Sequence, residues 1–124
     1  MIKLKDMNGI EFRLDKDSVT CGRTPESDVC FSNSYSRDER PDVLHWVSGE
    51  QFELERSGEH IFVSDLSRHG THVRVPGKDY RELVDVPYAI SLEDIESGNV
   101  RIRAGPKGAY EVSILVDSVE GGLN

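Results

Sequence analysis

Val100-Arg101-Ile102-Arg103-Ala104-Gly105-Pro106-Lys107-Gly108-Ala109-Tyr110-Glu111-Val112-Ser113-Ile114-Leu115-Val116 carries the fold signal of this chain. Val100, Ile102 and Ala104 alternate with Arg101 and Arg103, and Tyr110, Val112, Ile114 and Val116 follow in the same register after the Gly105-Pro106-Lys107-Gly108 turn. A period of two sends successive side chains to opposite faces, so each run reads as a strand with one buried face. The same period recurs upstream, where Ile10, Phe12 and Leu14 alternate with Glu11, Arg13 and Asp15, and Phe52 and Leu54 with Gln51, Glu53 and Glu55. Met7-Asn8-Gly9 and Ser57-Gly58-Glu59 read as further hairpin turns. No segment keeps a helical stripe, and only Leu92 to Ile95 is expected to form a helical turn. Many short strands with closely spaced turns predict an antiparallel β-sandwich or barrel.

Composition bounds the partners. At 124 residues the chain is expected to be one domain over residues 1–116, with 117–124, including Gly121-Gly122, a flexible tail. A net charge of -8 argues against a general binder of nucleic acid or anionic membrane, whose affinity needs a basic face. Any anion site must therefore be local. The start Met1-Ile2-Lys3-Leu4-Lys5 lacks a signal-peptide core and no run approaches a membrane span, so a cytoplasmic protein is expected. Cys21 and Cys30 have no CxxC spacing, and Cys21 shares a strand face with Val19, so burial as a small hydrophobe is its expected role. His69 and His72 lie across a turn and would need metal ligands from elsewhere, so neither metal nor cofactor is expected. Arg101, Arg103 and Lys107 could meet RNA, but a solvated face is the expectation in so acidic a chain.

Three short signatures occur in order between the strand-like runs: Cys21-Gly22-Arg23, then Val47-Ser48-Gly49-Glu50-Gln51, then Asp65-Leu66-Ser67-Arg68-His69-Gly70-Thr71. They put arginines and hydroxyls on loops or strand ends, which is how a rigid sandwich presents donors to an anion. Taken singly, each residue has an ordinary reading as well. Arg23 could pair with Glu26 or Asp28, Ser48 could cap a turn, and Arg68 could balance Asp65. Asp65, Ser67 and His69 are hydrolase residue types, yet alternate positions in one short segment cannot form a serine-histidine-carboxylate relay. No nucleophile elbow, P-loop or dinucleotide fingerprint is present, so an enzyme is not expected and a small hydrolase is a remote alternative.

In this order the signatures resemble the forkhead-associated (FHA) domain, whose members recognise phosphothreonine on partner proteins. The family pattern of Gly-Arg, Ser-x-x-His and Asn-Gly-Thr corresponds here to Gly22-Arg23, Ser48-Gly49-Glu50-Gln51 and His69-Gly70-Thr71. The resemblance runs to about Leu115 and implies an all-β antiparallel sandwich of about ten to eleven strands. It implies phosphopeptide contacts from Arg23, Ser48, Gly49, Arg68 and His69, with Gly22, Gln51, Gly70 and Thr71 as structural support. Gly49 stands where the family often has an arginine or asparagine. Gln51 replaces the histidine that braces the loops, and His69 replaces the asparagine that bonds the peptide backbone. The implied function is recruitment of a phosphothreonine-containing protein in Ser/Thr kinase signalling, without nucleic acid or membrane. These replacements keep open a module with a degenerate site that binds an unphosphorylated partner or its own copy through a sheet face. The long Ser32 to His45 segment, with Tyr35, Arg37, Arg40 and Pro41, would border the peptide groove, whereas Pro76 to Pro87 is assigned no chemistry.

Overall fold

The computed structural model describes residues 2–36, 39, 41–84 and 87–116. Arg37, Arg40 and the expected tail from 117 to 124 lie outside the described residues. The chain opens with β1 (Ile2–Asp6), β2 (Glu11–Arg13), β3 (Ser18–Gly22) and β4 (Val29–Cys30). After two short 3-10 helices, Phe31–Ser34 and Asp42–Trp46, follow β5 (Phe52–Ser57), β6 (His60–Asp65), β7 (Thr71–Arg74), β8 (Arg81–Glu82) and β9 (Tyr88–Ser91). The single turn α1 (Leu92–Glu96) precedes β10 (Val100–Ala104) and β11 (Tyr110–Val116). One sheet has the order β2-β1-β11-β10-β7-β8 and the other β4-β3-β5-β6-β9. Its described pairings are antiparallel except that of β3 with β4. The result is an eleven-stranded β-sandwich among the described residues.

Alternation places the core between the sheets. Leu4, Ile102, Val112 and Ile114 come from the first sheet, and Val19, Leu54, Val63 and Ile90 from the second. The turns expected at Met7-Asn8-Gly9, Ser57-Gly58-Glu59 and Gly105-Pro106-Lys107-Gly108 join β1 to β2, β5 to β6 and β10 to β11. Asp6 closes the first of these by accepting bonds from the amides of Asn8 (2.9 Å) and Ile10 (3.0 Å) and from the Tyr110 hydroxyl (2.6 Å). A buried carboxylate thereby has its acceptors filled, and burial together with this bond pushes the Tyr110 hydroxyl above the ordinary phenol range. The expected helical turn is α1, capped by Ser91, whose hydroxyl accepts from the Asp94 amide at 3.1 Å.

Several local readings change in three dimensions. Ile10 is 41% exposed and Phe12 only half-buried, because β2 is the edge of its sheet and has a neighbour on one side only. Gln51, read as an outward member of the Phe52 strand, is fully buried just before that strand begins. Phe31, read as a strand end, opens a 3-10 helix, and its buried ring packs on Phe12, Phe52 and Tyr110 at 5.7, 5.9 and 4.8 Å between centroids. The Pro76 to Pro87 segment contributes β8 to a sheet edge and buries Leu83. Cys21 is fully buried, and burial raises its thiol far above the reactive range, in keeping with a packing role. Among the described residues no helix is long and apolar enough to cross a membrane.

The contrast between Phe31 and Ile10 is measurable. Phe31→Ala should lower unfolding free energy by about 3–5 kcal/mol, whereas Ile10→Ala should change it by no more than about 0.5 kcal/mol. Urea denaturation of both variants beside the parent checks this; similar losses would show that the aromatic cluster does not centre on Phe31.

Candidate functional site

Three loops at one end of the sandwich meet through a small number of bonds. The first leaves β3 at Gly22. A Cβ on Gly22 would lie 2.0 Å from the Gly49 carbonyl oxygen, so only glycine lets this loop approach the second. At that approach the Arg23 amide donates to the Ser48 carbonyl (3.0 Å) and the Ser27 hydroxyl to the Gly49 carbonyl (2.8 Å). The Ser32 hydroxyl holds the Arg23 carbonyl at 2.8 Å, and the Arg23 guanidinium donates to the Leu44 carbonyl at 3.3 Å.

The second loop hangs on Gln51. Its Oε1 accepts from the Ser48 amide at 2.8 Å, and its Nε2 donates to the Gly70 carbonyl at 2.9 Å and to Thr71 Oγ1 at 3.0 Å. Its backbone amide donates to the Cys21 carbonyl (2.8 Å), and its carbonyl accepts from the Leu66 amide (3.0 Å). A glutamine thus performs the bracing that the resemblance gives to a histidine, because its amide has both a donor and an acceptor end.

The third loop is organised by Asp65 Oδ1, which accepts from the Ser67 amide (3.1 Å), the Ser67 hydroxyl (2.6 Å) and the Thr71 hydroxyl (2.7 Å). Ser67 Oγ in turn accepts from the Gly70 amide at 2.9 Å. Gly70 has φ +92°, in the left-handed region where side chains are strained. The loop then crosses to the second one, where the Arg68 amide donates to Ser48 Oγ at 3.0 Å. Ser48 Oγ is the acceptor in this bond, which leaves its hydroxyl proton uncommitted among the described residues.

Between the loops lies a groove of about 450 Å³, lined by Arg23, His45, Val47, Ser48, Gly49, Glu50, Leu66, Arg68 and His69. The five residues expected to contact a ligand are all on it. Among the described residues no carboxylate forms an ion pair with Arg23 or Arg68. Two of the partners considered from sequence, Asp28 and Asp65, are engaged elsewhere. Asp28 takes Lys16 at 2.8 Å and the Thr20 amide at 3.0 Å, bonds that hold its carboxyl below the usual carboxylate range, and Asp65 is filled within its own loop. His69 stacks edge-on against Trp46 at 5.2 Å between centroids, and Trp46 against His45 at 5.4 Å. Among the described residues no hydrogen bond joins His69 to Asp65 or Ser67, and the Ser67 hydroxyl donates to Asp65 instead.

Comparison with solved structures places this architecture. The N-terminal FHA domain of S. cerevisiae Rad53p, in complex with a phosphothreonine peptide, matches at TM-score 0.64 and 15% identity over 99% of this chain and 98% of that one. The fold is that of the forkhead-associated domain. The FHA domain of human APLF, in complex with an XRCC1 bisphospho peptide, matches at TM-score 0.64 and 13% identity over 94% of this chain and 98% of that one. Mycobacterium tuberculosis EmbR, in complex with a low affinity phosphopeptide, matches at TM-score 0.62 and 17% identity over 94% of this chain and 24% of that one. No protein-family model and no curated protein matches the chain.

The fold also brings to the groove His45, Val47, Glu50 and Leu66, to which sequence reading assigned no role of their own in binding, and sets Trp46 against His69. Trp46 is held where its Cβ packs against Gly105, at which an added Cβ would stand 2.9 Å away. Nothing local marks this. The one sequence signal was a glycine in the β10–β11 turn, whose need for φ +103° hides its second role as a seat for tryptophan.

Gln51→Leu tests the brace. The Ser48 amide would lose its partner and the Gly70 carbonyl one of its two donors, the Gly105 amide remaining, which should cost about 1–3 kcal/mol of stability. Thermal and urea unfolding read the loss, and hydrogen exchange at Ser48 should accelerate; an unchanged variant would remove Gln51 from the site's foundations.

Proposed function

We propose that this chain is a phosphothreonine-dependent interaction module that recruits a phosphorylated partner protein in Ser/Thr kinase signalling. The observation that carries the reading is a pair of arginines, Arg23 and Arg68, on one groove from loops 45 residues apart in sequence, without ion-pair partners among the described residues. A phosphate monoester carries nearly two charges and three strong acceptors, which two guanidinium forks and the free proton of Ser48 complement. FHA neighbours in complex with phosphothreonine or phosphorylated peptides support the same ligand class.

In this reading Arg23 and Arg68 hold the phosphate, Ser48 donates a hydroxyl bond, and His69 bonds the peptide backbone. The Ser32 to His45 segment reads residues C-terminal to the phosphothreonine. It lines an adjoining groove of about 920 Å³ in which Arg23 and His45 are shared, and which also presents Tyr35, Glu39 and Asp42. Because the loops are braced in advance, little ordering entropy opposes binding, which is modest in strength and sensitive to salt. Gly49 supplies no side chain, although an added Cβ would meet only Thr24, at 3.3 Å.

Calorimetric titration with a phosphothreonine peptide pool and its dephosphorylated counterpart tests the proposal. Phosphate-dependent binding should fall about tenfold or more in Arg23→Ala and in Arg68→Ala, and Gly49→Arg should strengthen it. Absence of any phosphate preference would instead favour an unphosphorylated partner, the reading to which Gly49 and His69 lend themselves.

A further inference from the structure

The outer face of the six-stranded sheet gathers positive charge in a chain whose net charge is -8. The burial alternation of β1, β10 and β7 turns Lys5, Arg101 and Arg74 outward. Strand register aligns Lys5 with Ser113, Ser113 with Arg101 and Arg101 with Arg74, so the four stand in one row across β1, β11, β10 and β7; the row ends on β2 at Glu11, whose carboxylate is taken by Lys3 at 3.2 Å. With strands about 4.8 Å apart, Arg101 and Arg74 are adjacent and Lys5 stands roughly 10 Å from Arg101. Like charges directly opposite one another destabilise a sheet, so the Arg74–Arg101 pair works against the fold. No carboxylate among the described residues forms an ion pair with Lys5 or Arg74, and Arg101 has Glu111 at 3.6 Å in an exposed, weak pair. A groove of about 450 Å³ runs past Lys5, Ser113 and Arg101.

We propose that this row is a docking surface for an extended acidic segment of a partner protein, separate from the three-loop groove. Charge complementarity selects the sign of the partner, and the geometry selects its form. An extended polypeptide repeats side chains on one face about every 7 Å, so three carboxylates span the roughly 14 Å from Arg74 to Lys5, and the long arginine and lysine stems take up the unequal steps between. Nucleic acid fits less well. Tyr80, the aromatic ring packed among these arginines, is covered by the Arg103 guanidinium at 4.4 Å and ties its hydroxyl to Glu111 at 2.6 Å, leaving no platform for a base. The acidic remainder of the chain also repels a long phosphate backbone.

The test is titration of a dodecapeptide of alternating glutamate and glycine at about 50 mM and about 300 mM salt. Binding at low salt should weaken about tenfold in the Arg74→Glu, Arg101→Glu double variant, disappear at the higher salt, and survive Arg23→Ala. Arg74→Glu alone should raise the thermal midpoint while weakening the peptide, because it turns a repulsive cross-strand pair into an attractive one. A folded double variant that binds as the parent does, or a parent that does not bind the peptide, overturns the proposal. So does equal binding of a single-stranded oligothymidylate, which would assign the face to nucleic acid, or salt-sensitive dimerisation of the parent abolished by the double variant, which would assign it to a second copy.

Discussion

One buried amide sets the terms for the functional end of this protein. The Gln51 side chain lies out of water, where an unpaired donor or acceptor is costly, and its demands are met by the Ser48 amide, the Gly70 carbonyl and the Thr71 hydroxyl. Those partners belong to two different loops, and the Gln51 backbone ties both to the end of β3 through the Cys21 carbonyl. None of the three loops can shift without opening a bond in this node. Gly22 completes the arrangement by offering no side chain where the Gly49 carbonyl passes. The candidate ligand groups are therefore presented by backbone that is fixed before any ligand arrives.

Electrostatics then divides the surface. Acidic residues outnumber basic ones by 23 to 15 across the chain, which discourages indiscriminate binding of polyanions. Against that background the positive charge is concentrated locally, on the three-loop groove and on the outer face of the larger sheet. Glu50 is the carboxylate that lines the groove, so the local balance there is cationic. Exposed guanidinium groups cost little while they remain hydrated, and a fork of five N–H donors keeps most of them for a multivalent anion even where one is used, as by Arg23 on the Leu44 carbonyl.

Much of the architecture was legible because a strand advertises itself locally. The runs from Val100 and from Tyr110 became β10 and β11, with their apolar residues inward. Where a neighbouring strand was missing, as at β2, the same alternation misled, and Ile10 remained exposed. Where an element was too short for a period to develop, as at β8 or the 3-10 turn beginning at Phe31, no pattern could announce it. Gln51 sits one residue before its strand, so simple alternation extended too far and put it on the solvent side. Only the two loops above it make that position interior.

The order of the three signatures was also legible, and with it the family resemblance and five of the residues on the groove, Arg23, Ser48, Gly49, Arg68 and His69. Their meeting was not. The bonds from Arg68 to Ser48 and from Arg23 to Ser48 join residues 20 and 25 positions apart, and they exist because β3, β5 and β6 are neighbours in one sheet. The sequence by itself determined the alternating strands, the turns and the chemical types available, since each depends on residues within a few positions. Tertiary structure alone decided which loops converge, that Trp46 backs His69, and that Arg74 faces Arg101. Those relations follow from strand order and register, which are set by the packing of the whole core.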